Sequence, residues 1–184
     1  MQNITRKIQK YAEEKFGIKA VKPFQLLVMH RILEQENSKQ VRQQIVLLPT
    51  GHGKSLCFLL PASLTKNITV IVYPLLALMN DQMKGLRNSG IDCVCLRGGQ
   101  TKTERNEIFL KLESGTKIII TNPETLTQKS VLKKLAHFKI DLLVVDEAHV
   151  IAQWGEEFRP AYLKLHDAVK LLKPHQVLAF TATA

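Results

Sequence analysis

The chain has 184 residues, the size of one ordinary domain, and 45% of them are hydrophobic, which is enough for a packed core and too many for a disordered tail. Lys and Arg together number 26 against 16 Asp and Glu, a net charge of +10 that points to a polyanionic partner without naming one. No apolar run approaches the roughly 18 residues of a membrane span, the first residues lack a signal-peptide core, and the three cysteines have no disulfide-scaffold or zinc spacing. The expectation is an intracellular, basic, single-domain protein without a membrane anchor.

The elements alternate in kind along the chain. Ile4, Ile8, Tyr11, Ala12 and Phe16 share one helical stripe that Gly17 ends, and a second helix is predicted from near Pro23 to about Glu36. The polar stretch 35–44 reads as a loop. Short apolar runs then recur at 45–48, 68–73, 91–96, 117–121, 142–145 and 177–180, rich in Val, Ile and Leu with little alternation, as in strands buried on both faces. Segments of helical length, such as 75–88 and 103–113, lie between them. This repetition predicts an α/β domain with a central parallel sheet and helices on both faces. Cys93 and Cys95 sit two apart on a strand and read as small core hydrophobes. The Asn-Ile-Thr triplets at Asn3 and Asn67 read as chance matches to the glycosylation pattern.

The first apolar run leads into Pro49, Thr50, Gly51, His52, Gly53, Lys54 and Ser55. Glycines there permit a tight loop whose backbone N–H groups cradle an anion, and a following helix adds the positive end of its dipole. Lys54 would reach the β- and γ-phosphates of a nucleotide, and the Ser55 hydroxyl would ligate Mg²⁺. The strict phosphate-loop pattern wants a glycine at position 48, where Leu48 stands. The run 142–145 ends in Asp146 and Glu147, followed by Ala148 and His149. Two adjacent acids at a strand's carboxyl end are costly unless solvated or paired with a cation. In a nucleotide hydrolase the first holds Mg²⁺ and the second orients and deprotonates the attacking water.

These residues carry a family resemblance. Asp146-Glu-Ala-His149 is the DEAH form of the helicase Walker B motif, and its continuation through Gln153-Trp154-Gly155 and Phe158-Arg159-Pro160 resembles the aromatic-rich loop of RecQ family DNA helicases. Phe16-Gly17 followed by Lys22-Pro23-Phe24-Gln25 resembles the adenine-reading motif of that family, and 48–55 its motif I, which in this superfamily often lacks the first glycine. Tyr73 through Gln82 is similar to motif Ia, Thr121 through Leu126 to motif Ib, and Phe180 through Ala184 to motif III. Departures are Ile18, where many relatives have an aromatic, Lys22 for Arg, Phe24 for Gly, Asn122 in motif Ib and the run 58–60.

The resemblance implies a RecA-like P-loop NTPase fold, with 1–42 as an N-terminal helical segment and 43–184 as the ATP-binding domain. It implies ATP and Mg²⁺ as cofactors, single-stranded and duplex DNA as partners, and work in DNA repair or recombination. By it, Lys22 and Gln25 would read adenine, and Pro49 to Ser55 would hold the phosphates. Ser55 and Asp146 would hold the metal. Lys54, Asp146, Glu147 and His149 would be catalytic. Gln153, Trp154, Phe158, Arg159, Thr181 and Thr183 would couple DNA to the nucleotide site. It also implies a second RecA-like domain bearing an arginine finger, for which these 184 residues contain no candidate. The expectation is therefore a motor half, weakly active alone. Two alternatives are an RNA helicase domain of DEAD/DEAH type, against which the Trp154 loop argues, and a non-catalytic nucleic-acid-binding module.

Overall fold

The computed structural model describes residues 2–34, 42–150 and 160–183. Helices α1 (Gln2–Phe16) and α2 (Pro23–Leu33) open the chain. Gly17 at φ 66° ends α1, as expected. Gln25 Oε1, accepting from the Lys22 N–H at 3.0 Å, and Pro23 at the first helical position start α2.

The remaining elements run β1 (Arg42–Leu47), α3 (Lys54–Leu64), β2 (Ile68–Val72), α4 (Leu76–Asn88), β3 (Cys93–Leu96), α5 (Lys102–Glu113), β4 (Ile118–Thr121), α6 (Pro123–Leu126), α7 (Lys129–Leu135), β5 (Ile140–Val145), α8 (Pro160–Leu163), α9 (Leu165–Leu172) and β6 (Gln176–Thr181). The six strands pair in the order β1-β6-β5-β2-β4-β3, and every pairing is parallel.

That order explains how the helices divide. The chain steps across the sheet from β1 to β2 to β3, then returns through β4 and β5 to β6. Right-handed crossovers put helices of the outward steps on one face and those of the return on the other. The core follows. Phe58 and Leu59 of α3 with Met79 and Leu86 of α4 pack on Ile71, Ile120, Val144 and Phe180. On the opposite face Phe109 of α5, Leu132 of α7 and Leu165 of α9 pack on Val70, Val72, Ile119, Leu143 and Val145. Adjacent strand residues thus serve opposite faces, and β2, β4 and β5 are buried throughout. Helices α1 and α2 add a third layer over α3, where Ile8, Ala12 and Met29 meet Leu56 and Leu60.

One expectation is corrected. β1 is not buried on both faces, since Ile45 is 74% and Leu47 53% exposed. Among the described residues it is an edge strand paired with β6 alone, and of its apolar residues Val46 packs inward. The parallel order also sets the functional end of the sheet. The loop 48–53, Asp146 and the end of β6 all lie at strand carboxyl ends, where open α/β sheets bind ligands.

Candidate nucleotide site

The loop after β1 continues the sheet for one residue, Leu48 N–H donating to Thr181 O at 3.0 Å. It then turns through Gly51 at φ 79° and Gly53 at φ 72°, a region open to glycine without steric cost. Gly53 caps α3 with no side-chain partner, so the first N–H groups of this 11-residue helix carry no side-chain cap. An anion suits that position.

Gln25 supports the loop from beneath. It is 4% exposed. Its Nε2 donates to His52 O at 3.1 Å and Gly53 O at 3.3 Å, and its Oε1 accepts from Lys22 N at 3.0 Å. The contact is close enough that a Cβ on Gly53 would stand 2.6 Å from Gln25 Nε2. On the outer side the Phe24 ring lies 6.2 Å from that of His52, and Lys22 Nζ stands 5.8 Å over Phe24. Lys22, Gln25 and the loop are thus one physical unit, although 27 residues separate Gln25 from His52.

The two acids are fixed by the neighbouring strands. Asp146 N–H donates to Val72 O at 3.0 Å and Ala148 N–H to Phe180 O at 2.8 Å. Between them Glu147 takes φ 52°, uncommon for a residue with a Cβ and a form of strain that gathers at functional sites. Lys54 Nζ lies 2.7 Å from Glu147 Oε1 and 3.7 Å from Asp146 Oδ1, with its side chain 10% exposed. Burial, offset in part by Lys54 and increased by Glu147, pushes the Asp146 carboxyl up to about 6. Its Oδ1 is buried without a hydrogen-bond partner.

His149 joins this group to β6. Its Nδ1 lies 3.1 Å from Thr181 Oγ1 and 3.3 Å from Glu147 Oε2. Thr181 Oγ1 donates to Thr183 O at 2.6 Å and accepts from Thr183 N at 3.2 Å. The Thr181 hydroxyl proton is therefore spent, and the network assigns Nδ1–H of His149 as donor to Thr181.

The structure brings together Gln25, the 49–55 loop, Lys54, Asp146, Glu147, His149, Thr181 and Thr183. Ser55 follows Lys54 at the start of α3 and is half-buried. Gln153, Trp154, Phe158 and Arg159 lie outside the described residues. One neighbour carried no individual assignment in the sequence. Tyr73 is 1% exposed, its hydroxyl has no partner, and burial reinforced by the nearby Asp146 raises it well above the ordinary tyrosine range. At the end of an apolar run it reads as core, and only the fold places it beside an acid. Asn67, by contrast, donates its backbone N–H and its side-chain Nδ2–H to the buried Asp141, each at 2.8 Å.

A buried cation beside two carboxylates, beneath an uncapped helix start, can exchange its acid partners for phosphate oxygens. Residues 22–184 match the family model for DEAD/DEAH box helicases. The chain is 39% identical over 145 residues to ATP-dependent DNA helicase RecQ of Pasteurella multocida, covering 78% of this chain and 23% of that protein. It is 39% identical over 150 residues to the RecQ helicase of Synechocystis, covering 78% and 31%. It is 37% identical over 175 residues to ATP-dependent helicase wrn-1 of Caenorhabditis elegans, covering 93% and 16%. The chain thus spans a third or less of the length of these curated relatives. With the parallel sheet and the match over most of its length, the chain belongs to the DEAD/DEAH box helicase family and, within it, resembles the first RecA-like domain of the RecQ helicases.

Proposed function

We propose that this chain is the nucleotide-binding motor half of an ATP-dependent DNA helicase, coupling ATP hydrolysis to movement along a DNA strand. The observation that carries this reading is the Lys54 ammonium, 2.7 Å from Glu147 and 3.7 Å from Asp146 beneath an uncapped helix start. The names of the relatives, ATP-dependent DNA helicases among them, favour DNA over RNA as the track.

Lys54 leaves the acids when triphosphate enters and pairs with its outer phosphates. The N–H groups at the start of α3 take phosphate oxygens. Glu147, once released from Lys54, orients and deprotonates the attacking water. His149 Nδ1 faces both Glu147 Oε2 and Thr181 Oγ1, so a change in the Glu147 contact reaches β6. Gln25 exchanges a loop carbonyl for the adenine edge, with Lys22 and Phe24 beside it, so nucleotide occupancy alters its hold on the loop. Trp154, Phe158, Gln153 and Arg159 sense the strand.

The residues fit Mg²⁺ carried in with the nucleotide. The buried Asp146 Oδ1, which makes no hydrogen bond among the described residues, is a hard oxygen donor, and Ser55, next to Lys54, supplies a hydroxyl. Among the described residues no group of three or more His, Cys, Asp or Glu could cage a metal alone. Mg²⁺ characteristically uses one or two protein oxygens plus substrate phosphates. When bound, it neutralises charge on the transferring phosphate.

A second RecA-like domain completes the site with an arginine finger, which in related enzymes is worth about 10³ to 10⁵ in rate. The protein acts inside the cell.

The test is titration of a fluorescent ATP analogue with Mg²⁺ into wild type, Lys54→Ala and Glu147→Gln. The expected result is at least a tenfold loss of affinity for Lys54→Ala and retained binding for Glu147→Gln. Unchanged binding by Lys54→Ala overturns the reading. Preference for single-stranded RNA over DNA in competition favours the RNA alternative instead.

A further inference from the structure

A groove of about 370 Å³ lies between α5 and α7, at the opposite edge of the sheet from the phosphate loop. Five strand spacings of about 4.8 Å, roughly 24 Å, separate β1 from β3, so it is distinct from the site of Lys54. Lys102, Arg105 and Asn106 line it from α5 and Lys134 from α7, with Gln100 at the rim and Phe109 in the floor.

Its charge is one-sided. Among the described residues the lining holds three cations and no acid. Positions 102, 105, 106 and 109 form one stripe of α5. Glu104 and Glu107 fall on the other side, and Glu104 is committed to the Thr101 cap, its Oε2 accepting from Thr101 N at 2.6 Å. None of the three cations has a carboxylate partner among the described residues. Lys134 Nζ donates to Asn106 Oδ1 at 2.8 Å and stands 4.8 Å over the Phe109 ring. Arg105 Nη1 donates to Gln128 Oε1 at 2.9 Å, while its Nε is buried with no partner. A guanidinium anchored at one end by Gln128, with no carboxylate partner among the described residues, leaves its charge uncompensated beside the groove.

We propose that this groove binds backbone phosphates of a nucleic-acid strand. The reading rests on the helicase motor proposed above and gives the strand a second point of contact. The three cations are spread over two helices rather than converging on one point, which suits successive phosphates. Phe109 is only 7% exposed, so no aromatic face is offered to a base and the contact is independent of sequence. Gln100 and Lys102 follow β3 directly, so the groove opens at the carboxyl edge of the sheet, where the Lys54 loop also lies. A strand laid along that edge meets both ends of the domain.

The experiment measures binding of the 184-residue chain to fluorescent oligothymidylate by anisotropy across a salt series. Three phosphate contacts contribute a slope of about −2 in log affinity against log salt for a single strand. Replacing Lys102, Arg105 and Lys134 with Ala is expected to remove about that slope and weaken binding about 10- to 100-fold near 0.1 M salt. Lys102→Glu with Lys134→Glu keeps the Arg105–Gln128 bond and is expected to act in the same direction, so loss is not a folding artefact. Lys111→Ala, Lys129→Ala and Lys139→Ala together change the charge equally outside the groove lining and are expected to act far less. Circular dichroism checks folding throughout.

Equal affinity and slope for wild type and both groove variants overturn the groove while leaving the motor reading intact. Wild type that binds no strand at all overturns the motor reading and the groove with it. Displacement of the strand by inorganic phosphate or an acidic peptide at comparable concentration also overturns the strand assignment.

Discussion

Gly53 and Gly51 both sit at positive φ, yet they differ in surroundings. A Cβ on Gly51 meets nothing within 4 Å, whereas one on Gly53 stands 2.6 Å from the buried Gln25 amide. Gly51→Ala is expected to cost about 1–2 kcal/mol from backbone strain alone. Gly53→Ala is expected to cost more and also to weaken nucleotide binding, because Gln25 must release the loop carbonyls. Thermal melts and a nucleotide titration of the two variants check this contrast. Asp146 gives a second prediction at this scale. Its carboxyl, raised from 3.8 to about 6, keeps a proton in the folded state that the unfolded chain has released. The sign follows from linkage: this group's contribution is fully present below about pH 4 and is lost as pH rises through about 6. Without divalent cation, Asp146→Asn is expected to stabilise the fold by about 1–3 kcal/mol above pH 6, from the size of the shift. That advantage should vanish toward pH 4. Melting temperature against pH for both proteins measures it, and the gain should accompany loss of Mg²⁺-nucleotide binding.

Among elements, β1 and β6 are adjacent but differ in burial. Phe180 of β6 is fully buried, with its ring 4.9 Å from that of Phe58 in α3, and it also lends its carbonyl to Ala148. Phe180→Ala is expected to cost about 3–5 kcal/mol, whereas Ile45→Ala on the exposed side of β1 should stay within about 1 kcal/mol. Chemical denaturation of the two variants tests the difference. The continuous apolar run at 45–48 looked like the other strands in the sequence. Composition reports apolarity, not how many neighbours the sheet provides, and β1 has one. The runs at 68–73, 117–121 and 142–145 were legible as doubly buried strands because position in the sheet and composition agree there. Cys93 and Cys95 share one face as expected but are not fully buried, because β3 lies at the sheet edge. They are partly buried beside the core, both are free, and burial raises both thiols.

For the whole molecule, on the proposed reading, residues 1–184 supply one wall of a catalytic cleft whose other wall is a second RecA-like domain. Steady-state ATP turnover by the 184-residue chain, with and without single-stranded DNA, is expected to fall about 10³- to 10⁵-fold short of a two-domain enzyme, the contribution of an arginine finger. DNA-stimulated turnover at the rate of a complete helicase would refute this division of labour.

Local chemistry was enough to read the parallel α/β fold, the glycine loop that leads into a helix and the acid pair at a strand end from the sequence. Continuous apolar runs, loop glycines and adjacent carboxylates each leave their mark within a few residues. Pairings across long separations needed the tertiary structure. Lys54 meets Glu147 93 positions on, and Gln25 meets the loop 27 positions on. Tyr73 beside Asp146 and the groove shared by α5 and α7 arise in the same way. Their geometry is set by strand order and by which face each crossover helix covers, and a sheet ordered β1-β6-β5-β2-β4-β3 joins residues by position in space rather than along the chain.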